Sequence, residues 1–267
     1  MNNLNKGSAL LFFVSLLSAD IAIAQQVDEI STDRPDFVES SEVVGKGRVQ
    51  IETGYVLERN TANGSRDRQT TTPTLLRIGV EEDWELRFET DGKTSQRSES
   101  LANGTVQSSS GYSDLSVGVK WHMLDAKGLL PSMAVLVHAD IDSGSTAFRG
   151  QGVRPSVRFT QEWELPSDIS LGIMEGVIHD QNELGQRFNS GIFGITMSKG
   201  WTEKFRTFIE FASPQIARAQ HGGSLASFDL GITYLLTPTL QLDVAAFKGL
   251  NQRTPDLAIG AGISAKF

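Results

Sequence analysis

The chain has 267 residues, 39% of them hydrophobic, with no cysteine and a formal net charge of -8. Lack of cysteine excludes a disulfide framework and a thiolate metal site, and the acidic balance argues against nucleic acid, which wants a clustered basic face. No later segment approaches the roughly 18 uninterrupted apolar residues of a transmembrane helix, so any membrane crossing must use strands.

Residues 1–24 read as a secretory signal peptide. Lys6 supplies the positive start, Ala9 to Leu17 the short apolar core, and Ala22-Ile23-Ala24 the small-x-small cleavage site, so that Gln25 begins the exported chain by the Sec route. The segment 25–46 follows as a periplasmic leader or a plug of the lumen. Its centre, Asp33-Arg34-Pro35-Asp36 with Phe37 next, is charge-dense, and Pro35 keeps its neighbour extended and offers no amide donor. Such a stretch is either solvated outside a barrel or folded inside one, its charges paired with the wall.

From residue 47 to residue 267 strict apolar and polar alternation recurs between turn signals. Twelve strands are expected, at 48–58, 72–80, 84–92, 112–122, 132–142, 153–164, 169–179, 187–198, 205–215, 225–236, 240–250 and 257–267. Even-numbered strands end in short turns such as Glu81-Glu82-Asp83, Pro166-Ser167-Asp168 and Thr237-Pro238-Thr239. Odd-numbered ones end in polar, Gly-rich loops, at 59–71, 93–111, 143–152, 180–186, 216–224 and 251–256. Short turns at one rim, long loops at the other and an even count are expected of a 12-stranded antiparallel transmembrane β-barrel of the bacterial outer membrane, its sheet closed so that no edge is left.

The last segment shows the pattern best. Leu257, Ile259, Ala261, Ile263, Ala265 and Phe267 share one face; Ala258, Gly260, Gly262, Ser264 and Lys266 share the other. The apolar face is assigned to lipid and the small or polar one to the lumen, with the terminal Phe267 read as the signal for the barrel-insertion machinery. Glu175 breaks the parity, and a bulge or a rim position is expected there.

The inward set carries both signs: Glu52, Arg77, Glu85, Arg87, Glu89, Asp114, Lys120, Asp140, Arg154, Arg158, Glu162, Arg206, Glu210, Asp229, Asp243 and Lys266. Charges in a narrow lumen must be paired or hydrated. Pairing around Glu82 sets Arg77 directly opposite Arg87, which repel unless Glu85, Glu89 or Glu52 intervenes. The cluster is either a structural charge ladder or a constriction that binds anionic or polar solutes.

The Thr32-Asp33-Arg34-Pro35-Asp36-Phe37 motif leads into Gly47-Arg48-Val49-Gln50-Ile51-Glu52-Thr53-Gly54-Tyr55. Further on stand Leu75-Leu76-Arg77-Ile78-Gly79, Ser113-Asp114-Leu115 and Leu240-Gln241-Leu242-Asp243. From about residue 31 to the end the chain resembles the family of outer-membrane transporters named for the meta-cleavage pathway of phenol degradation. The resemblance implies a porin-like outer-membrane channel for small solutes, aromatic or anionic compounds among them, without cofactor or metal. The competing classes are an outer-membrane barrel enzyme acting on lipids and a purely structural barrel. For an enzyme the residues offer little: His122 and His138 point inward, His179 and His221 lie at strand ends or in loops, and no nucleophile elbow or zinc spacing is present.

Overall fold

The computed structural model describes residues 29–182 and 184–267, so the expected signal peptide and its cleavage point at Ala24 and Gln25 lie outside the described residues. In chain order the strands are β1 (Val49–Ala62), β2 (Ser65–Thr71), β3 (Thr74–Glu81), β4 (Trp84–Thr90), β5 (Lys93–Ser100), β6 (Val106–Tyr112), β7 (Leu115–Leu124), β8 (Ser132–Ile141), β9 (Arg154–Leu165), β10 (Ile169–Gln181), β11 (Arg187–Gly200), β12 (Phe205–Ile216), β13 (Ser227–Thr237), β14 (Leu240–Gly249) and β15 (Leu257–Lys266).

Twelve of them make a closed antiparallel barrel: β1, β3, β4 and β7 to β15 in that order, with β15 returning to β1. Closure is made at the first strand, where Gln50 stands opposite Lys266 and Arg59 opposite Leu257. The amides of Val49 and Phe267 exchange hydrogen bonds with each other's carbonyls at 3.2 and 2.8 Å, so both ends of the barrel strands meet at one rim. A closed ladder leaves no unpaired edge for lipid, which offers no hydrogen bonds of its own.

Side-chain parity along the strands sorts the residues as the alternation predicts. In β15, Ala258, Ser264 and Lys266 are buried while Leu257, Ile259, Ile263 and the following Phe267 are exposed. Trp84 and Trp121 stack on the outer face with ring centroids 5.4 Å apart, near the turn rim. Trp163 and Trp201 lie at the same rim, their indole nitrogens donating to Leu129 O and Thr207 Oγ1. Indoles gathered at one height suit a membrane interface, where the ring is half in lipid and the N–H keeps a partner.

Two expectations are corrected. Segments 59–71 and 93–111 are not loops. β1 runs on past the barrel and turns back through Asn63 and Gly64, both at positive φ (51° and 76°) as a two-residue type I′ turn requires, into β2. β2 pairs with β5, and β5 with β6, so that a small sheet stands above the barrel wall opposite the termini. The second correction concerns Glu175, which sits neither in a bulge nor at a rim. Pairing of β10 with β9 and β11 is regular through it, and its carboxylate instead accepts hydrogen bonds from the outward Gln161 amide at 3.1 and 3.3 Å.

Candidate functional site

The inside of the barrel is occupied by its own chain. Residues 30–46 enter beside the β13–β14 turn, where Ile30 N donates to Pro238 O, cross the lumen, and descend along β9, β8, β7, β4 and β3 to join β1. The segment belongs to no sheet. Its amides and carbonyls must nevertheless be satisfied, since a buried backbone group left unpaired costs roughly 1–3 kcal/mol.

Wall carboxylates take the amides. Glu52 accepts from Asp33 N and Arg34 N (both 3.0 Å), and Glu210 accepts from Phe37 N and Val38 N (both 2.8 Å). Glu162 accepts from Ser41 N at 2.5 Å and Glu85 from Val44 N at 2.9 Å. Wall cations take the carbonyls: Arg77 donates to Ser31 O and Glu42 O, and Lys120 to Ser40 O. The mixture of signs on the inner face therefore has a local cause. Each sign solves one half of the backbone problem of an enclosed segment.

The segment's own charges finish the network. Asp33, 6% exposed, sits among Arg87 at 2.7 Å, Lys120 at 3.1 Å and Arg77 at 3.4 Å, and its Oδ1 also accepts from Ser40 N. Burial favours the neutral acid, but Arg77, Lys120 and Arg87 outweigh it and hold this carboxyl well below the usual aspartate value. Glu39 bridges Arg87 at 2.7 Å and Arg158, and the same three-way balance of burial, Arg87 and Arg158 brings it down to about 2. Arg34 reaches the other way, to Asp243 at 3.1 Å on β14. The Arg34-Pro35 peptide is cis.

Arg77 and Arg87 do face each other across β3 and β4, and Glu85 lies between them at 2.9 and 2.7 Å. Both are at most 1% exposed and engaged by Glu85 and Asp33, with Glu52 also on Arg77 and Glu39 on Arg87. The structure thus gathers Glu52, Arg77, Glu85, Arg87, Arg158, Glu210 and Asp243 around the segment that carries Asp33, Arg34, Pro35, Asp36 and Phe37. Asp229 stands opposite Glu210 in the β12–β13 register. Two members lie apart: Arg154 binds Asp114 at 2.8 Å towards the loop rim, and Arg206 holds Ser170 and Ser198 at 2.9 and 2.8 Å towards the turn rim. Glu89 borders the cluster, 3.9 Å from His138 and within electrostatic reach of Arg158, Glu39 and Arg87.

Sequence reasoning missed that Glu39, Ser40 and Ser41 are partners of the wall as much as Asp33 is, and the one pointer to them is the continuation of the motif through Val38-Glu39-Ser40. Glycines complete the fit. A Cβ at Gly79 would collide with the Gly45 carbonyl, and one at Gly194 would lie 2.7 Å from Val38 Cγ2 and 3.0 Å from Phe37 Cδ1. Val38 and Phe37 pack there against Met174, Ile178 and Ile192.

Below the segment, on the turn side, a cavity of about 750 Å³ opens, walled by Arg34, Asp36, Glu162, Arg206, Thr233 and Gln241 among others. Unlike Asp33 and Glu39, Asp36 has no cation at ion-pair distance among the described residues. Burial raises its carboxyl well above the ordinary value, and Glu210, Glu162 and Asp33 push the same way. A raised acid penalises docking above its own pKa, and the penalty fades as pH falls through it. Asp36→Asn should accordingly dock the segment more tightly at neutral pH and remove that part of its pH dependence, read as amide hydrogen exchange of residues 30–44. Equal exchange in the two proteins between neutral and mildly acid pH would refute this.

The histidines form no catalytic relay. His138 meets Ser116 Oγ at 3.4 Å and Glu89 at 3.9 Å through the same Nδ1, while its buried Nε2 has no partner; a relay needs the two on opposite nitrogens. His122 pairs with Ser41 O and Asp125, His179 with Asn189, and His221 stacks on Phe188.

The sequence profile of a family described as "Putative MetA-pathway of phenol degradation" matches residues 32–267. The chain belongs to this family. No curated protein matches it. Among solved structures, the COG4313 outer membrane channel of Pseudomonas putida F1 is similar at a TM-score of 0.61 with 14% identity, covering 90% of this chain and 100% of that one. The beta domain of the Bordetella autotransporter BrkA aligns at 0.56 with 12% identity, over 83% and 100% of the two chains. These likenesses establish the fold of the family member described here as that of an outer-membrane barrel.

Proposed function

We propose that this barrel is an outer-membrane channel for small solutes, aromatic or anionic compounds among them, and that the described part of the leader, residues 29–46, is its internal plug, with residues 47–267 as the barrel. The supporting observation is the crossing of the lumen by a segment that, past the single backbone bond of Ile30 to Pro238, is held to the wall through side chains. Bonds of that kind are released one by one by water, whereas a strand ladder must be unzipped. Membership of a family named for phenol degradation supports an aromatic solute, and the apolar group of Phe37, Val38, Met174, Ile178 and Ile192 offers such a molecule a surface inside an otherwise charged lumen. Arg77 and Arg87 act as plug anchors in this reading, since each is held by carboxylates of the wall and of the segment.

The turn rim, with both strand termini, faces the periplasm and the β2–β5–β6 sheet faces outward. Phe267, two-thirds exposed on the lipid side, is available to the insertion machinery. Cysteines placed at Asn63, Ser98 and Gln220 should be labelled by a membrane-impermeant thiol reagent on intact cells, and those at Asp83 and Pro238 spared. The opposite pattern would invert the orientation. Planar-bilayer recording of the refolded protein tests transport itself: discrete, infrequent openings are expected, and a protein silent under all conditions, its plug deleted included, would leave a structural barrel.

A further inference from the structure

On the outer face of the protruding sheet three arginines stand in one transverse row. Arg59 of β1 is the register partner of Arg68 of β2, and Arg68 is the partner of Arg97 of β5. Partners across an antiparallel ladder point to the same side, and with neighbouring strands about 4.8 Å apart the row spans roughly 10 Å. All three are exposed. Their parity is that of Tyr55 and Leu57 in β1, so the row continues the lipid-facing side of the barrel wall, and Arg59 is flanked on β15 by Leu257. Arg66 and Lys93 share this face, giving five cations against Glu99, which faces Arg66. The other nearby carboxylate, Asp256, uses Oδ2 on the amide of Thr61.

Like charges set directly opposite each other weaken a strand pair. Here they are repeated across three strands, and among the described residues none of the three guanidinium groups has a hydrogen-bond or ion-pair partner. In the lumen, by contrast, Arg77, Arg87, Lys120 and Arg158 are each matched by a carboxylate. A row of guanidiniums suits a ligand that presents phosphate, which each fork binds with two parallel hydrogen bonds. Its continuity with the apolar wall selects a phosphate carried on acyl chains lying against Leu57, Leu257 and Ile259.

We propose that Arg59, Arg68 and Arg97 form a binding site for the phosphorylated headgroup of an outer-leaflet glycolipid of the lipid A class. The inference takes from the proposed orientation only that this rim meets the outer leaflet. The ligand neutralises the row and thereby pins the protruding sheet to the membrane surface.

The test is native mass spectrometry of the full refolded protein in detergent, titrated with bisphosphorylated lipid A, with the dephosphorylated lipid, and with inorganic phosphate alone. Wild type should retain the bisphosphorylated lipid. The triple variant Arg59→Gln, Arg68→Gln, Arg97→Gln should bind it at least tenfold more weakly, while the triple variant Arg59→Lys, Arg68→Lys, Arg97→Lys, which keeps the charge and loses the fork, should fall between the Gln variant and wild type. Heat-modifiable migration checks that each variant is folded, and because all three side chains are exposed the barrel should form in each. Undiminished retention by the Gln variant would overturn the proposal, as would equal binding of the dephosphorylated lipid. Binding of inorganic phosphate as tight as that of the lipid would overturn the glycolipid as the source. Channel currents of the Gln variant should match wild type, so a failure of the transport reading shows in the bilayer and a failure of this one in the spectrometer.

Discussion

Removal of residues 29–44 should convert a mostly closed barrel into a continuously conducting one. The segment contacts β1, β3, β4, β7, β8, β9, β12 and β14 through hydrogen bonds, and β10 and β11 through Val38, so it reaches ten of the twelve wall strands. A twelve-stranded barrel is wider than the eight-stranded ones that side chains alone can fill. The freed Arg77, Arg87 and Lys120 would then be hydrated in an open pore, and single-channel conductance should rise several-fold with a shift towards anions. Conductance equal to that of the full chain would mean that the wall closes on itself and that the segment is no plug.

Asp33→Asn should undock the plug while leaving the barrel folded. The substitution removes the one negative group shared by Arg77, Arg87 and Lys120 and sets an amide NH2 among these cations, while its remaining oxygen can still accept from Ser40 N. Taking one partner from a buried ion network costs about 3–5 kcal/mol, which corresponds to a docking equilibrium weakened by roughly a hundredfold or more. Open probability in the bilayer and exchange of residues 30–44 should both rise, with heat-modifiable migration unchanged. The wild-type protein should show the same loss in strong acid. The lowered pKa values of Asp33 and Glu39 mean that their contribution is complete above the ordinary carboxylate range and lost as pH falls through the depressed values. This is opposite in sign to the effect of Asp36, so an Asn at position 33 and an Asn at position 36 should move the equilibrium in opposite directions. Identical effects would place the control of docking elsewhere.

How much of this could be read from residues alone depends on what lay on each side of a strand. Where lipid faced one side and the lumen the other, period two was unmistakable, as in Leu257 to Phe267, and it fixed even the opposition of Arg77 and Arg87. In β2, β5 and β6 both faces meet water. Strands such as Ser65–Thr71 and Val106–Tyr112 therefore carry no apolar stripe and resembled loops. The Asn63-Gly64 pair was a legible hairpin signal, hidden by its polar surroundings. Glu175 misled for another reason: its partner Gln161 is fourteen residues away in sequence and adjacent only across the β9–β10 ladder. The plug was half legible. Its charge density was plain, but the complement is scattered over strands from Glu52 to Asp243, and only closure of the barrel brings those residues around one segment.

The plug is joined to β1 through Gly45, Lys46 and Gly47, with Gly45 and Gly47 both at positive φ. A tether this short keeps the released segment at an effective concentration of the order of millimolar at its own docking site. If the segment is the plug proposed above, opening is a unimolecular excursion that reverses without an outside partner, and a synthetic plug peptide added in solution would have to reach comparable concentrations to compete. Resting closure becomes a property of chain connectivity: cutting the backbone between Val44 and Val49 would weaken it even with every wall contact left in place.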